Sequence, residues 1–137
     1  MRVTARIAAL GLLVLAVAAG CLTTSEVLVD RPWKLVVVSG APPVDPQGVV
    51  GVSFGTDRRF TVNTGCNTTG GTYHLDGNRI LLDTVNQTLV LCEGELATQE
   101  AAILAVIKNR PAYAIDTGTG RLRLTSDAGR VLLFEAP

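Results

Sequence analysis

From residue 33 onward the chain consists of short runs in which apolar and polar residues alternate, each closed by a cluster of glycine, proline, asparagine or aspartate. Trp33-Lys34-Leu35-Val36-Val37-Val38 is rich in β-branched residues and predicts a strand that ends before Pro42-Pro43, where ladder pairing is forbidden. Residues 49–54 and 59–63 flank Gly55-Thr56-Asp57-Arg58 and predict a hairpin, with Phe60 and Val62 alternating against polar neighbours. Residues 72–75 and 79–82 flank Asp76-Gly77-Asn78, a strong hairpin signal, and residues 86–92 predict a further strand. The period changes only in residues 95–109, where Leu96, Ile103, Leu104 and Ile107 share a face of a predicted helix that Arg110-Pro111 stops. Alternation then returns in residues 112–116, 121–125 and 130–134 as a closing three-strand meander. The expected class is mainly β with one inserted helix. Its eight or nine antiparallel strands favour a monomeric, closed barrel, because closure removes the unpaired edges that invite aggregation; a two-sheet sandwich is the alternative.

The first 20 residues do not belong to that pattern. Arg2 and Arg6 precede an apolar run from Ile7 to Ala19, shorter than the roughly 20 residues a membrane-spanning helix needs. Residues 1–20 therefore read as a signal peptide. Ala18-Ala19-Gly20-Cys21 resembles a bacterial lipobox, with Ala18 where leucine is usual. That resemblance implies a chain processed to begin at Cys21, acylated on its sulfur and anchored to the exported side of an envelope membrane. A plain secretory signal with an incidental cysteine is the alternative. Residues 21–31 then form a tether, with a short strand at residues 27–29 as the alternative, and residues 32–137 form one domain.

Charge narrows the partners. The whole chain has 12 basic and 12 acidic residues; removing Arg2 and Arg6 leaves 10 against 12, a net charge of −2. No basic run exceeds a pair, which argues against nucleic acid and anionic headgroups as partners. The expected contacts are the membrane, through the lipid on Cys21, and an envelope protein.

Candidate chemistry is sparse. Thr64-Gly65-Cys66-Asn67-Thr68-Thr69-Gly70-Gly71 reads as a tight corner between strands, with Asn67 as a turn residue bonding nearby backbone. Its Gly65, Asn67, Thr68, Thr69 and Gly70 form the candidate binding corner. Once Cys21 is assigned to the lipid, Cys66 and Cys92 have one possible pairing, and an exported compartment favours that disulfide; two buried free thiols are the alternative. The lone His74, read as a solvent-facing strand residue, and the cysteine spacing do not make a metal site, so no metal or cofactor is expected. Glu93 and Glu95 read as a solvated approach to the helix, and no serine has a nucleophile context. No catalytic residue is assigned and no enzymatic activity is expected.

The succession Trp33-x-Leu35, Phe60-Thr61-Val62, Gly65-Cys66-Asn67 with Gly70 and Tyr73, Thr88-x-x-x-Cys92, Glu100, Tyr113, Leu122-x-Leu124 and Leu133-Phe134 resembles the META domain family, which includes the heat-shock protein HslJ. Asn63 and Val90 stand where glycine and methionine are usual. The resemblance spans nearly all of the chain after Cys21. It implies a small barrel of lipocalin topology with an inserted helix, often exported or lipid-anchored, associated in some bacteria with heat shock and antibiotic tolerance, and without known catalysis or an agreed ligand. The function expected from it is a structural or stress-protective envelope lipoprotein. A binding protein, or an inhibitor of an exported hydrolase acting through residues 65–71, is the alternative.

Overall fold

Alternation sets the architecture, because a strand that places every second side chain inward needs only one buried face. In Arg59–Asn63 (β3) Phe60 and Val62 are buried between exposed neighbours, and in Leu122–Thr125 (β7) Leu122 and Leu124 are. The computed structural model describes residues 27–137. The remaining strands are Arg31–Val38 (β1), Gly51–Phe54 (β2), Thr68–Asp76 (β4), Arg79–Gln87 (β5), Ala112–Ile115 (β6) and Val131–Glu135 (β8). Each pairs antiparallel with its neighbour in the chain, and β1 pairs with β8, closing an eight-stranded barrel. The expectations for residues 1–20, for Cys21 and for the tether through Glu26 lie outside the described residues.

The interior is filled by the chain's own side chains. Trp33, Phe54, Phe60 and Phe134 are almost wholly buried, and the Phe54 and Tyr73 rings meet edge-on at 5.1 Å. In a barrel of this size, side chains so placed fill the interior as a core. The core also takes in a residue read as tether: Leu28 is fully buried and its carbonyl accepts the Trp33 indole N–H at 2.9 Å. Its burial is worth about 2 kcal/mol. The packed domain thus begins before residue 32, and Arg31 is already in β1. No strand forms at residues 27–29.

The middle of the chain differs most from the periodic reading. The β4–β5 hairpin is longer than expected because Thr69 to Thr72 pair with both β3 and β5. At Gly71 a Cβ would collide with the Thr84 carbonyl, so only glycine lets the strands approach there. One strand runs through to Gln87, with a bulge opposite Thr72 and Tyr73, and residues 88–93 form a loop where a separate strand was expected.

β5 meets β6 only at Arg79 and Ala112, and the chain between them includes the helix Gly94–Ile107 (α1). Helix α1 packs on β1, β7 and β8 at the end of the barrel where β3 turns into β4. Ile103, Val106, Ile107 and Gln99 are its buried residues. The expected apolar face was rotated: Val106 is in the core, while Leu104 is only half-buried and lines an outer groove. Gln99 tolerates burial because all of its polar hydrogen-bonding atoms find backbone. Its Oε1 accepts Val44 N–H at 2.7 Å, and its Nε2 donates to Val44 O at 3.0 Å and Thr64 O at 2.8 Å.

Candidate functional site

The corner between β3 and β4 closes on itself. Thr64 N–H and Oγ1 both donate to Asn67 O at 2.9 Å, and Asn67 N–H returns to Thr64 Oγ1 at 3.0 Å. Gly65 holds the tight turn at φ +90°, and a Cβ there would sit 3.1 Å from both Gln99 Nε2 and a Val50 methyl. Cys66 is bonded to Cys92 across 26 residues, with Cα atoms 6.0 Å apart, as the cysteine count predicts. The bridge ties the corner to the loop that leads into α1.

Asn67 organises this junction over longer range than its turn reading implied. Its side chain is buried, and its Oδ1 accepts Thr88 Oγ1–H and Val90 N–H, both at 2.8 Å. Its Nδ2 donates to Val90 O at 3.0 Å and toward the two Glu100 oxygens at 3.0 and 3.2 Å. Gln87 Nε2 also donates to Glu100 Oε1, at 2.5 Å, while Lys108 Nζ donates to Gln87 Oε1 at 3.1 Å. One amide therefore joins the corner, the 88–93 loop and α1.

The five corner residues are not equivalent. Asn67 and Thr69 are buried, Gly65 and Gly70 are half-buried, and Thr68 is exposed. Thr69 Oγ1 has no hydrogen-bond partner among the described residues. The accessible part of the neighbourhood is the loop opposite: Leu89 is 93%, Val90 60% and Leu91 84% exposed. Between this loop and α1 lies an open groove of about 480 Å³. Its apolar walls include Leu89, Leu91, Ala101 and Leu104, and Asn67 and Glu100 are polar members of its lining. Glu100, Gln99 and Gln87 were not assigned as site residues. For Gln99 and Glu100 the signal was a polar run, Thr98-Gln99-Glu100, set between alanines in the helix; Gln87, at the end of β5, carried none.

Cys66, Cys92 and Glu100 each bring one donor atom within 4.8 Å of the others. With the sulfurs joined, no thiolate remains to bind an ion. Cys92 Sγ lies 2.8 Å from Glu100 Oε2, a contact without a hydrogen because a disulfide sulfur carries none. Away from this corner, His74 is partly exposed and its Nδ1 pairs with Asp83 Oδ1 at 2.7 Å. Glu93 and Glu95 are exposed, Glu95 in the first turn of α1.

The geometry defines a class: a small antiparallel barrel filled by its own side chains, with one helix fastened across an end by a disulfide-linked corner. The chain belongs to the META domain family, whose model matches residues 26–137. Among solved structures it is similar to a protein determined by NMR, at 20% identity and a TM-score of 0.70 over 83% of this chain and 95% of that one. A protein from Burkholderia xenovorans, also determined by NMR, is 21% identical with a TM-score of 0.62, over 90% of this chain and 94% of that one. A duf4847 family protein from Bacteroides vulgatus ATCC 8482 is 16% identical with a TM-score of 0.54, over 83% of this chain and 96% of that one. At these identities the likeness is one of fold. No curated protein matches the chain.

Proposed function

We propose that this META-domain protein is exported and held in the cell envelope by acylation at Cys21, and that it acts there without catalysis in a structural or stress-protective role. The observation that carries this reading is the Cys66–Cys92 bridge. Such a bond persists in oxidising compartments and is rare where thiols are kept reduced, which agrees with the signal-like residues 1–20. The filled interior supports a role for the outer surface over one for an internal cavity.

A second reading, a recognition protein or an inhibitor of an exported hydrolase, draws support from the exposed Leu89, Val90 and Leu91 beside the corner. Large apolar side chains grouped on a rigid, disulfide-tethered loop are costly to leave in water and suited to a partner's cleft. In this reading the 88–93 loop presents the contact surface, while Asn67 supports it from within.

Cell fractionation tests the anchoring. Wild-type protein should sediment with membranes and require detergent for release, and Cys21→Ala should be soluble or unprocessed. Wild-type protein found in the soluble fraction, with an unmodified Cys21 thiol, would contradict the reading.

A further inference from the structure

We propose that the groove between the 88–93 loop and α1 is a docking site for a segment of another protein that combines apolar side chains with a lysine or arginine. The inference rests on the recognition reading and is independent of anchoring. Its apolar half is plain: Leu89 and Leu91 are almost fully exposed on one wall, and half-buried Leu104 lies on the helix side.

Its charge chooses the occupant. Glu100 is half-buried in the groove lining, held by the amides of Asn67 and Gln87, and neutralised by no cation among the described residues. The ion pairs found there join Arg59 to Asp57, His74 to Asp83, Arg79 to Asp127 and Arg121 to Glu135. Lys108 Nζ donates to the Gln87 carbonyl, 3.1 Å away, and makes no ion pair with Glu100. Exposed Glu93 and Glu95 add negative charge where the loop enters α1. An incoming ammonium or guanidinium would add the counter-charge that the neutral amides around Glu100 do not supply, while leucine-like side chains cover the loop. A second copy would bring the same carboxylates, and an anionic bilayer would add more negative charge; both are disfavoured by like-charge repulsion.

The experiment uses the full chain carrying Cys21→Ser, so that anchoring does not enter the result. A fluorescent peptide alternating leucine and lysine is titrated and its binding read by anisotropy, with amide NMR shifts locating the contact. A leucine–glutamate peptide, anionic phospholipid vesicles and the chain itself are the competitors. Saturable binding of the leucine–lysine peptide is expected, with shifts centred on Leu89, Leu91 and Glu100. Leu91→Ser and Glu100→Gln should each weaken it by about tenfold. Leu91 is 84% exposed, so its replacement spares the fold and decides the matter if Glu100→Gln does not fold. Absence of saturable binding, equal binding of the glutamate peptide, or unchanged affinity in Leu91→Ser would overturn the proposal. So would shifts outside the groove, or its occupation by vesicles or a second copy. Failure here would leave the Cys21 anchoring test standing, and failure of that test would leave this one intact.

Discussion

Asn67→Asp changes one NH2 group to an oxygen of nearly the same size and should make the stability of the domain strongly pH-dependent. Asn67 Nδ2 lies 3.0 and 3.2 Å from the Glu100 oxygens, so the replacement sets carboxylate against carboxylate. At an effective dielectric of about 20, two unit charges roughly 3 Å apart repel by about 5 kcal/mol. The folded variant can avoid this by taking up a proton to share between the two groups, which restores a donor. The pair then holds a proton that the unfolded chain gives up near pH 4, a raised apparent value for the variant's carboxylate pair. Stability is therefore retained below about pH 4 and falls by up to about 1.4 kcal/mol per pH unit as pH rises, reaching a loss of about 4 kcal/mol near pH 7. Thermal melts followed by circular dichroism across this range provide the assay. At the acid end the variant should melt a few degrees below wild type, because one proton cannot also serve the Val90 carbonyl, and the gap should widen by about 15 °C or more toward neutral pH. Asn67→Ala is the control, losing about 1–3 kcal/mol without comparable pH dependence. A gap for Asn67→Asp that is constant with pH, or no gap, would refute the coupling of the corner to the helix through this amide.

Reduction of the disulfide, or Cys66→Ser, should cost roughly 3–4 kcal/mol for a 26-residue closed loop and lower the melting temperature by more than about 10 °C; scanning calorimetry reads the loss. Ile103→Glu should destabilise by at least about 3 kcal/mol, because it places a charge at a buried helix–barrel contact, while Leu104→Glu, half-buried in the groove, should cost much less; denaturant melts would show the order. The chain's two tyrosines, Tyr73 and Tyr113, have hydroxyls raised above the ordinary range by burial, with Asp30 and Asp57 adding to the effect at Tyr73. Because the protonated forms are favoured in the fold, this contribution is present below about pH 10 and lost at higher pH. Absorbance titration should therefore show phenolate appearing later in native than in unfolded protein, and coincident curves would reject it.

Strands that bury one face were legible because burial follows a period of two: Phe60 and Val62, or Leu122 and Leu124, announce themselves. The cysteine pairing was legible from counting. Legibility failed where tertiary contacts overrode local pattern. Leu89-Val90-Leu91 is apolar enough to read as a strand, yet these residues form an exposed loop held by Asn67 and the disulfide. The helix face was misplaced because Gln99 looks solvent-facing until the Val44 and Thr64 backbone groups supply its partners from distant parts of the chain. Leu28 looked like tether because its place in the core depends on Trp33, whose indole reaches back to the Leu28 carbonyl. The position of Glu100 beside Asn67 and Cys92 belongs to the same class. No periodicity encodes a contact between residues 67 and 100.

Intact-mass measurement of the protein extracted from membranes, before and after reduction, reads the Cys21 anchor and the Cys66–Cys92 bridge together. The expected species is a chain beginning at Cys21, heavier than its residues by two or three acyl groups, and gaining two hydrogens on reduction as the Cys66–Cys92 bridge opens. A chain retaining residues 1–20, or one with an unacylated Cys21, would contradict this expectation.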